Sequence, residues 1–195
     1  MTQWASHYLE IPEAIRSNDA LQTQIADIIP DRPIYGKRVE GGDREQNARD
    51  ILIDFFDYKI EYQEAYERVL QELPRRESPH SHDNNTFSSN WNEALIRMQA
   101  VRFYNHGAFL QLKDLGHSEC YIPHSPHEDR GSECTRKLAG NPWEIDPLLN
   151  RLKERYDNEN YDTPVTIPSR PNCTHTPIPP ICPKTTHKAA EFAGP

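Results

Sequence analysis

The spacing of apolar positions predicts helices in the first half of the chain. Two short apolar runs, from Trp4 to Ile15 and from Leu21 to Ile29, are separated by Pro12 and Asn18 and predict two short helices. Apolar residues then recur every three or four positions from Ile51 to Leu73. This pattern predicts one helix of about eight turns with an aromatic-rich face.

Local signals mark where this predicted helix begins and ends. Asp43 and Gln46 resemble a capping box, in which each side chain bonds a free backbone group at the start of a helix. Pro74 is expected to stop the helix. The polar segment 75–89 that follows is expected to be a linker or exposed loop, and its histidines His80 and His82 are expected to be solvated.

A second long helix is predicted from Asn90, as N-cap, to Leu115, with Gly116 as its C-terminal stop. Its expected buried stripe includes Trp91, Ala94 or Leu95, Met98, Val101, Ala108 or Phe109, and Leu112. Because the two long helices each carry an apolar stripe, we expect them to pack as a hairpin or bundle.

The helical period disappears after Gly116. The next residues mix turn formers with histidines and cysteines, which predicts a small module of loops and short strands. A short helix is predicted over Pro147–Tyr156, with proline at its first position. The last 30 or so residues are rich in proline and predict an extended arm.

These elements together predict an α+β fold that is mainly α. The expected organisation is an N-terminal helical region over 1–74, a linker over 75–89, a long helix with a small Cys/His module over 90–162, and an extended C-terminal arm over 163–195. The module is expected to be loop-rich and stabilised by zinc, because so small and polar a unit buries little apolar surface.

Composition narrows the functional classes. The 195 residues carry a net charge of -8 and a mean hydropathy of -0.88. This charge argues against a general phosphate-binding surface, although it permits a local basic patch. No run of 18 apolar residues occurs and the N-terminus lacks signal-peptide features, so we expect a soluble protein made in the cytoplasm, with no membrane partner.

Cysteine and histidine positions indicate a metal site. Four cysteines in a chain without a secretion signal favour thiols or metal ligands over disulfides, although no C-x-x-C pair is present. Cys173 and His175 form a C-x-H pair, and Cys134 is a candidate third ligand for zinc. The fourth ligand is left open among Cys120, His117, His124, His127 and Cys182. The alternative is free thiols and hydrogen-bonded histidines.

Enzymatic motifs are missing. The chain has no H-E-x-x-H sequence and no glycine-rich phosphate loop. We therefore predict that the protein is not an enzyme. A zinc-dependent nuclease or hydrolase remains an alternative, since Glu128 and Asp129 lie in the histidine-rich segment.

Three motifs in order resemble the phage Mu F-like head morphogenesis proteins, also called minor head or minor capsid proteins, over roughly residues 90–180. The first is a helix with an Arg, an Asn-x-Gly and a closing Gly; the second is a cysteine-bearing turn leading to Leu-x-Gly; the third is an Asn-Cys-x-His segment before a proline tail. The matching residues are Arg97, Asn105, Gly107, Gly116, Cys134, Leu138, Gly140, Asn172, Cys173 and His175.

Departures from the family pattern fall on candidate ligands. Only Cys134 remains of a cysteine pair in the middle motif, and Arg170 replaces a histidine of the last motif. His175 stands where the family has a second cysteine, which preserves a ligand. The first 89 residues carry none of the resemblance.

The resemblance implies a structural virion protein that acts in head morphogenesis at or near the portal vertex, in proximity to DNA. Its expected partners are the portal protein, the major capsid protein or neck subunits, in a multimeric assembly. A head-tail connector or neck protein is the structural alternative, and it would form a ring of about twelve subunits.

Overall fold

The computed structural model describes residues 4–73 and 87–180. It is mainly helical with one two-stranded sheet, which confirms the α+β, mainly α class. The elements, in chain order, are a 3₁₀ turn at Tyr8–Glu10, α1 Ile11–Arg16, α2 Asp19–Ile28, α3 Arg44–Phe56, α4 Tyr62–Glu72, α5 Trp91–Asp114, β1 Glu119–Ile122, α6 Glu133–Leu138, β2 Asn141–Glu144 and α7 Ile145–Tyr156.

The prediction of one long helix over 43–73 is wrong. Tyr58 has a φ of 61°, a left-handed conformation that an α-helix cannot contain, and the chain folds there into α3 and α4. The Tyr58 hydroxyl donates to the carbonyl of Ile15 at 2.6 Å, which holds the reversal against α1. The apolar spacing still identified buried positions such as Phe55 and Val69, because both helices bury one face.

The predicted capping box is also wrong. Asp43 is the N-cap of α3, but its side chain makes no capping hydrogen bond, and Gln46 donates instead to Asp50 at 2.8 Å. Of the predicted hairpin or bundle, the structure therefore has a bundle, in which α2, α3 and α4 pack against α5.

Helix α5 confirms the predicted second long helix and forms the centre of the fold. Gly116, with a φ of 84°, ends it in a Schellman motif: its N–H bonds the carbonyl of Lys113 at 2.8 Å, and the N–H of His117 bonds that of Leu112 at 2.9 Å. The single predicted stripe was too narrow, since α5 is buried on most sides. Its buried polar residues include Gln99, Arg102, Asn105, His106 and Gln111, whereas Met98 is only partly buried.

Two hydrophobic clusters lie along α5. The first joins the helices up to α4 with α5 as far as Ala108, and the second joins the end of α5 with β1, α6, α7 and the segment 163–180. Trp4 and Leu110 pack against both clusters. Helix α5 is thus shared between the N-terminal helices and the Cys/His module.

The module contains the predicted short strands. β1 and β2 pair antiparallel, with Cys120 opposite Trp143, and α7 begins at Ile145 rather than at Pro147, which is its third residue. Residues 163–180 have no helix or strand but are partly buried against the body. Cys182, His80 and His82 lie outside the described residues. None of the described helices is long and apolar enough to cross a membrane.

Candidate metal centre

The C-x-H pair lies in an extended segment that several elements hold in place. Thr174 accepts from the Tyr8 N–H at 3.2 Å, and the Thr176 hydroxyl donates to Ala5 at 2.6 Å. The Asn105 side chain of α5 donates to the carbonyl of His175 at 3.1 Å. Because residues i and i+2 of an extended chain share a face, Cys173 and His175 project to the same side.

Helix α6 brings Cys134 to that same side. Ser132 is the N-cap of α6; its hydroxyl accepts from Thr135 N–H at 3.3 Å and lies 3.2 Å from the Cys134 sulfur. One ligand atom from each of Cys134, Cys173 and His175 lies within 4.8 Å of the others, and all three residues are buried. The structure thus brings together three of the four predicted ligands.

Cys120 is not part of this cluster. It lies on β1 with its side chain in the second hydrophobic cluster, beside Ile122 on the same face of the strand. Burial among apolar groups raises the pKa of the Cys120 thiol to about 12, which disfavours the thiolate that binds metal. Two other candidates have different contacts: His124 bonds Glu128 at 2.8 Å, and His127 packs edge-on against His7.

The observed spacing fits tetrahedral zinc. Zn–S and Zn–N bonds of about 2.3 and 2.0 Å at a tetrahedral angle place sulfur and nitrogen about 3.6 Å apart. The Cys173 sulfur lies 3.6 Å from Nδ1 of His175. The donor set of two sulfurs and one imidazole is one that zinc prefers.

Glu128 orients the imidazole. The Glu128 carboxylate lies 3.0 Å from Nε2 of His175 and also accepts from the Ser125 N–H at 3.1 Å. If Nε2 carries the proton, Nδ1 is left as a lone pair that faces the two sulfurs. Metal-binding histidines in proteins usually have such a carboxylate or carbonyl partner.

Electrostatics within the cluster favour one thiolate. Hydrogen bonding from Cys173 lowers the pKa of Cys134 to about 3, against the effect of burial, and His175 and Ser132 add to the lowering. The bond to Cys134 and burial both raise the pKa of Cys173. Burial opposes a charge on His175, yet its bonds to Cys134 and Glu128 raise its pKa overall. These directions favour the thiolate form of Cys134, which is the form that binds a metal ion.

A cavity of about 110 Å³ lies beside the cluster. Asp129 lines it, and its Oδ1 accepts from the Gly131 N–H at 2.8 Å. The sequence named Asp129 only beside the enzyme alternative. It lines this cavity but does not belong to the three-residue cluster, so the cluster found among the described residues supplies three ligands and not a fourth.

The other residues that carry the family resemblance serve packing. A Cβ on Gly107 would lie 2.6 Å from Cγ1 of Ile25, so glycine lets α2 approach α5 closely. Gly140 has a φ of 76°, and a Cβ added there would lie 2.6 Å from Nε2 of His124. Its N–H donates to the carbonyl of Ile122 at 2.7 Å. Leu138 is buried in the second cluster.

Two further motif residues have other surroundings. The Arg97 guanidinium lies 5.0 Å from the centre of the Tyr8 ring and pairs with Glu93. Asn172 is exposed and lines the cavity beside the metal ligands.

A buried ion pair that the sequence did not indicate anchors α7 to α5. Arg102, 1% exposed, pairs with Asp157 at 2.8 Å and donates to the carbonyls of Pro33 and Tyr156. Arg32 also pairs with Asp157, at 2.9 Å.

Comparisons of this chain with protein-family models, with curated proteins and with solved structures give no match.

Proposed function

We propose that this protein is a structural virion protein of a tailed phage that resembles minor head proteins and acts in head morphogenesis at or near the portal vertex. One observation supports this proposal above the others. The three motifs of the resemblance, which are far apart in the sequence, meet at one place: Asn105 of the first bonds His175 of the third, and Cys134 of the second faces Cys173 and His175.

The contacts give the first and third motifs a shared physical role. Asn105 donates to the carbonyls of both Ile167 and His175, at 3.2 and 3.1 Å, and thereby fixes the segment that carries the metal ligands against α5. The helix motif acts as a support, and the two cysteine motifs supply the ligands. Motif residues that hold the module together, rather than line an open catalytic cleft, suit a structural role.

We also propose that Cys134, Cys173 and His175 bind one structural zinc ion. All three ligands are at most 4% exposed, and the Glu128 side chain behind His175 is 9% exposed. A catalytic zinc keeps a position open to substrate, whereas a structural zinc is enclosed. The enclosed ligands favour a structural ion and a protein that is not an enzyme.

Virion analysis tests the structural role. Purified particles of the phage that encodes this chain should contain it, as measured by mass spectrometry, in fewer copies than the major capsid protein. Deletion of the gene should leave particles with defective heads or heads that fail to package or deliver DNA. Absence of the chain from intact, infectious particles would refute the proposal, and a closed ring of about twelve copies would assign it to the connector class.

Elemental analysis tests the zinc site separately. The full chain should contain one zinc per molecule, and Cys134→Ser should lose it together with thermal stability. Cys120→Ala is the matched control, because it removes a buried cysteine outside the cluster and should keep the zinc. Equal zinc content in the wild type and in Cys134→Ser would contradict the assignment, and metal-dependent cleavage of nucleic acid would favour the enzyme alternative.

A further inference from the structure

A second cavity, outside the three-residue cluster, has more cationic than acidic side chains in its lining. It has a volume of about 450 Å³ and lies between α6, β2, α7 and the segment 161–170. Of the described residues that line it, four are cationic and one is acidic: Lys137, Arg151, Arg155, Arg170 and Glu133. This concentration of positive charge is unexpected in a chain of net charge -8.

The arginines of this cavity are held by backbone carbonyls instead of carboxylates. Arg151 and Arg155 are four residues apart on α7 and so share a face. Arg155 donates to the Ser169 carbonyl at 2.9 Å, and Arg151 donates to that of Val165 at 3.5 Å. Within 4–73 and 87–180, no carboxylate forms an ion pair with these two side chains or with Arg170. Each guanidinium has five N–H donors, so most of them stay available.

An aromatic side chain lies at the rim of this cavity. Tyr161 is 57% exposed, and the Arg155 guanidinium lies 5.5 Å from the centre of its ring. Thr163 also lines the cavity, but its Oγ1 is buried and does not reach the open space.

We propose that this cavity binds the phosphate group of a small ligand of about mononucleotide size. A phosphate presents several acceptor oxygens to converging guanidinium groups, the geometry for which arginine is best suited. The volume falls within the range of small-molecule sites. The exposed face of Tyr161 beside the cations offers a stacking surface for a base.

The charge of the whole chain favours a small ligand over a nucleic acid. A long polyanion would be repelled by the net charge of -8, whereas a single phosphate experiences mainly the local field of the cavity. Glu133, the one acidic residue among the described lining residues, pairs with Lys137, so the net charge of this lining stays positive. The site thus matches a compact anion in size and in charge.

Titration calorimetry on the full chain tests this site with inorganic phosphate, adenosine 5′-monophosphate and a single-stranded oligonucleotide. Arg170→Gln and Arg155→Gln should each weaken phosphate and nucleotide binding about tenfold or more, since each removes a charge-assisted hydrogen bond. Arg136→Gln is the matched control. It also removes one positive charge, but Arg136 lies on α6 and lines a different cavity. It should leave binding unchanged.

The variants separate specific binding from general charge. The Arg155 side chain bonds the Ser169 carbonyl, so its loss could disturb folding, and circular dichroism therefore accompanies every variant. The Arg170 side chain is exposed and makes no such bond within the described part of the chain. Arg170→Gln is therefore the decisive substitution. Tyr161→Ala should weaken nucleotide binding and spare inorganic phosphate. Equal loss in Arg136→Gln and Arg170→Gln, no binding of phosphate or nucleotide at millimolar concentration, or binding of the oligonucleotide alone would overturn the proposal.

Discussion

The buried pair of Arg102 and Asp157 gives a prediction whose magnitude follows from the structure. Asp157→Asn keeps the shape of the side chain but removes the charge that compensates a guanidinium with a 2% exposed side chain. Loss of one partner of a buried pair costs about 3 to 5 kcal/mol. Arg102 keeps its bonds to Pro33 and Gln99, at 2.6 and 3.1 Å, so we expect the lower value, about 3 kcal/mol, by the same reasoning.

This loss is large relative to the total stability of a domain, which is about 5 to 15 kcal/mol. For a chain of this length, each kcal/mol corresponds to about 2 to 4 °C, so the melting temperature should fall by about 6 to 12 °C. Circular dichroism during heating measures this shift, and urea denaturation gives the free energy of unfolding independently.

The control is an ion pair of similar chemistry at the surface. Arg16 pairs with Glu61, and both side chains are about half exposed. Glu61→Gln should change the free energy of unfolding by less than about 1 kcal/mol, because water screens exposed charges. If Asp157→Asn destabilised the protein no more than Glu61→Gln does, the reasoning from burial would be refuted.

Three further substitutions test the site and its support. Glu128→Gln should lower zinc affinity about 10- to 100-fold in competition with a chelator, because the bond that orients His175 weakens. Gly107→Ala should cost about 1 to 3 kcal/mol in urea denaturation, because the new Cβ meets Ile25 at 2.6 Å. Burial lowers the pKa of His106 to about 4. As the pH falls from about 6.5 to 4, the unfolded state takes up a proton at this histidine and the folded state does not, so the free energy of unfolding should fall by about 3 kcal/mol. His106→Gln should flatten this part of the stability profile measured by denaturation at each pH.

Each of these has its own control. Glu133→Gln, which alters an exposed glutamate on α6, should leave zinc affinity unchanged. Gly107→Ala combined with Ile25→Ala should cost less than the sum of the single changes, and strict additivity would contradict the proposed steric contact. An unchanged pH profile in His106→Gln would show that other groups cause the loss of stability in acid.

The sequence predicted elements whose signals are local. Helix α5 has Asn90 before it and Gly116 after it, and both lie where the spacing predicted. The pair Cys173 and His175 was also predictable, because two positions along an extended chain share a face. The break at Tyr58 was not predictable, because no local pattern marks a tyrosine in the left-handed region and the apolar spacing continues across it.

Longer-range features depend on packing that no local pattern encodes. Cys134 was predicted as the third ligand, but the exclusion of Cys120 as the fourth was not, because it follows from the burial of β1 in the second cluster. Glu128 meets His175 across 47 positions of sequence, and Asp157 meets Arg102 across 55. Carboxylates are common in this chain, so composition alone could not indicate which ones are buried with a partner.

The contacts between the two ends of the described chain set an order for the folding of the module. The peptide of His175 pairs with that of His7, and Tyr8 and Ala5 bond Thr174 and Thr176. Residues 5–8 therefore find these partners only after residues 174–176 have been made. Closure of so long a loop is slow and comes late. The proposed zinc site is likewise incomplete until His175 has been made, so a chain cut before this residue should lack both the ion and the fixed segment 5–8.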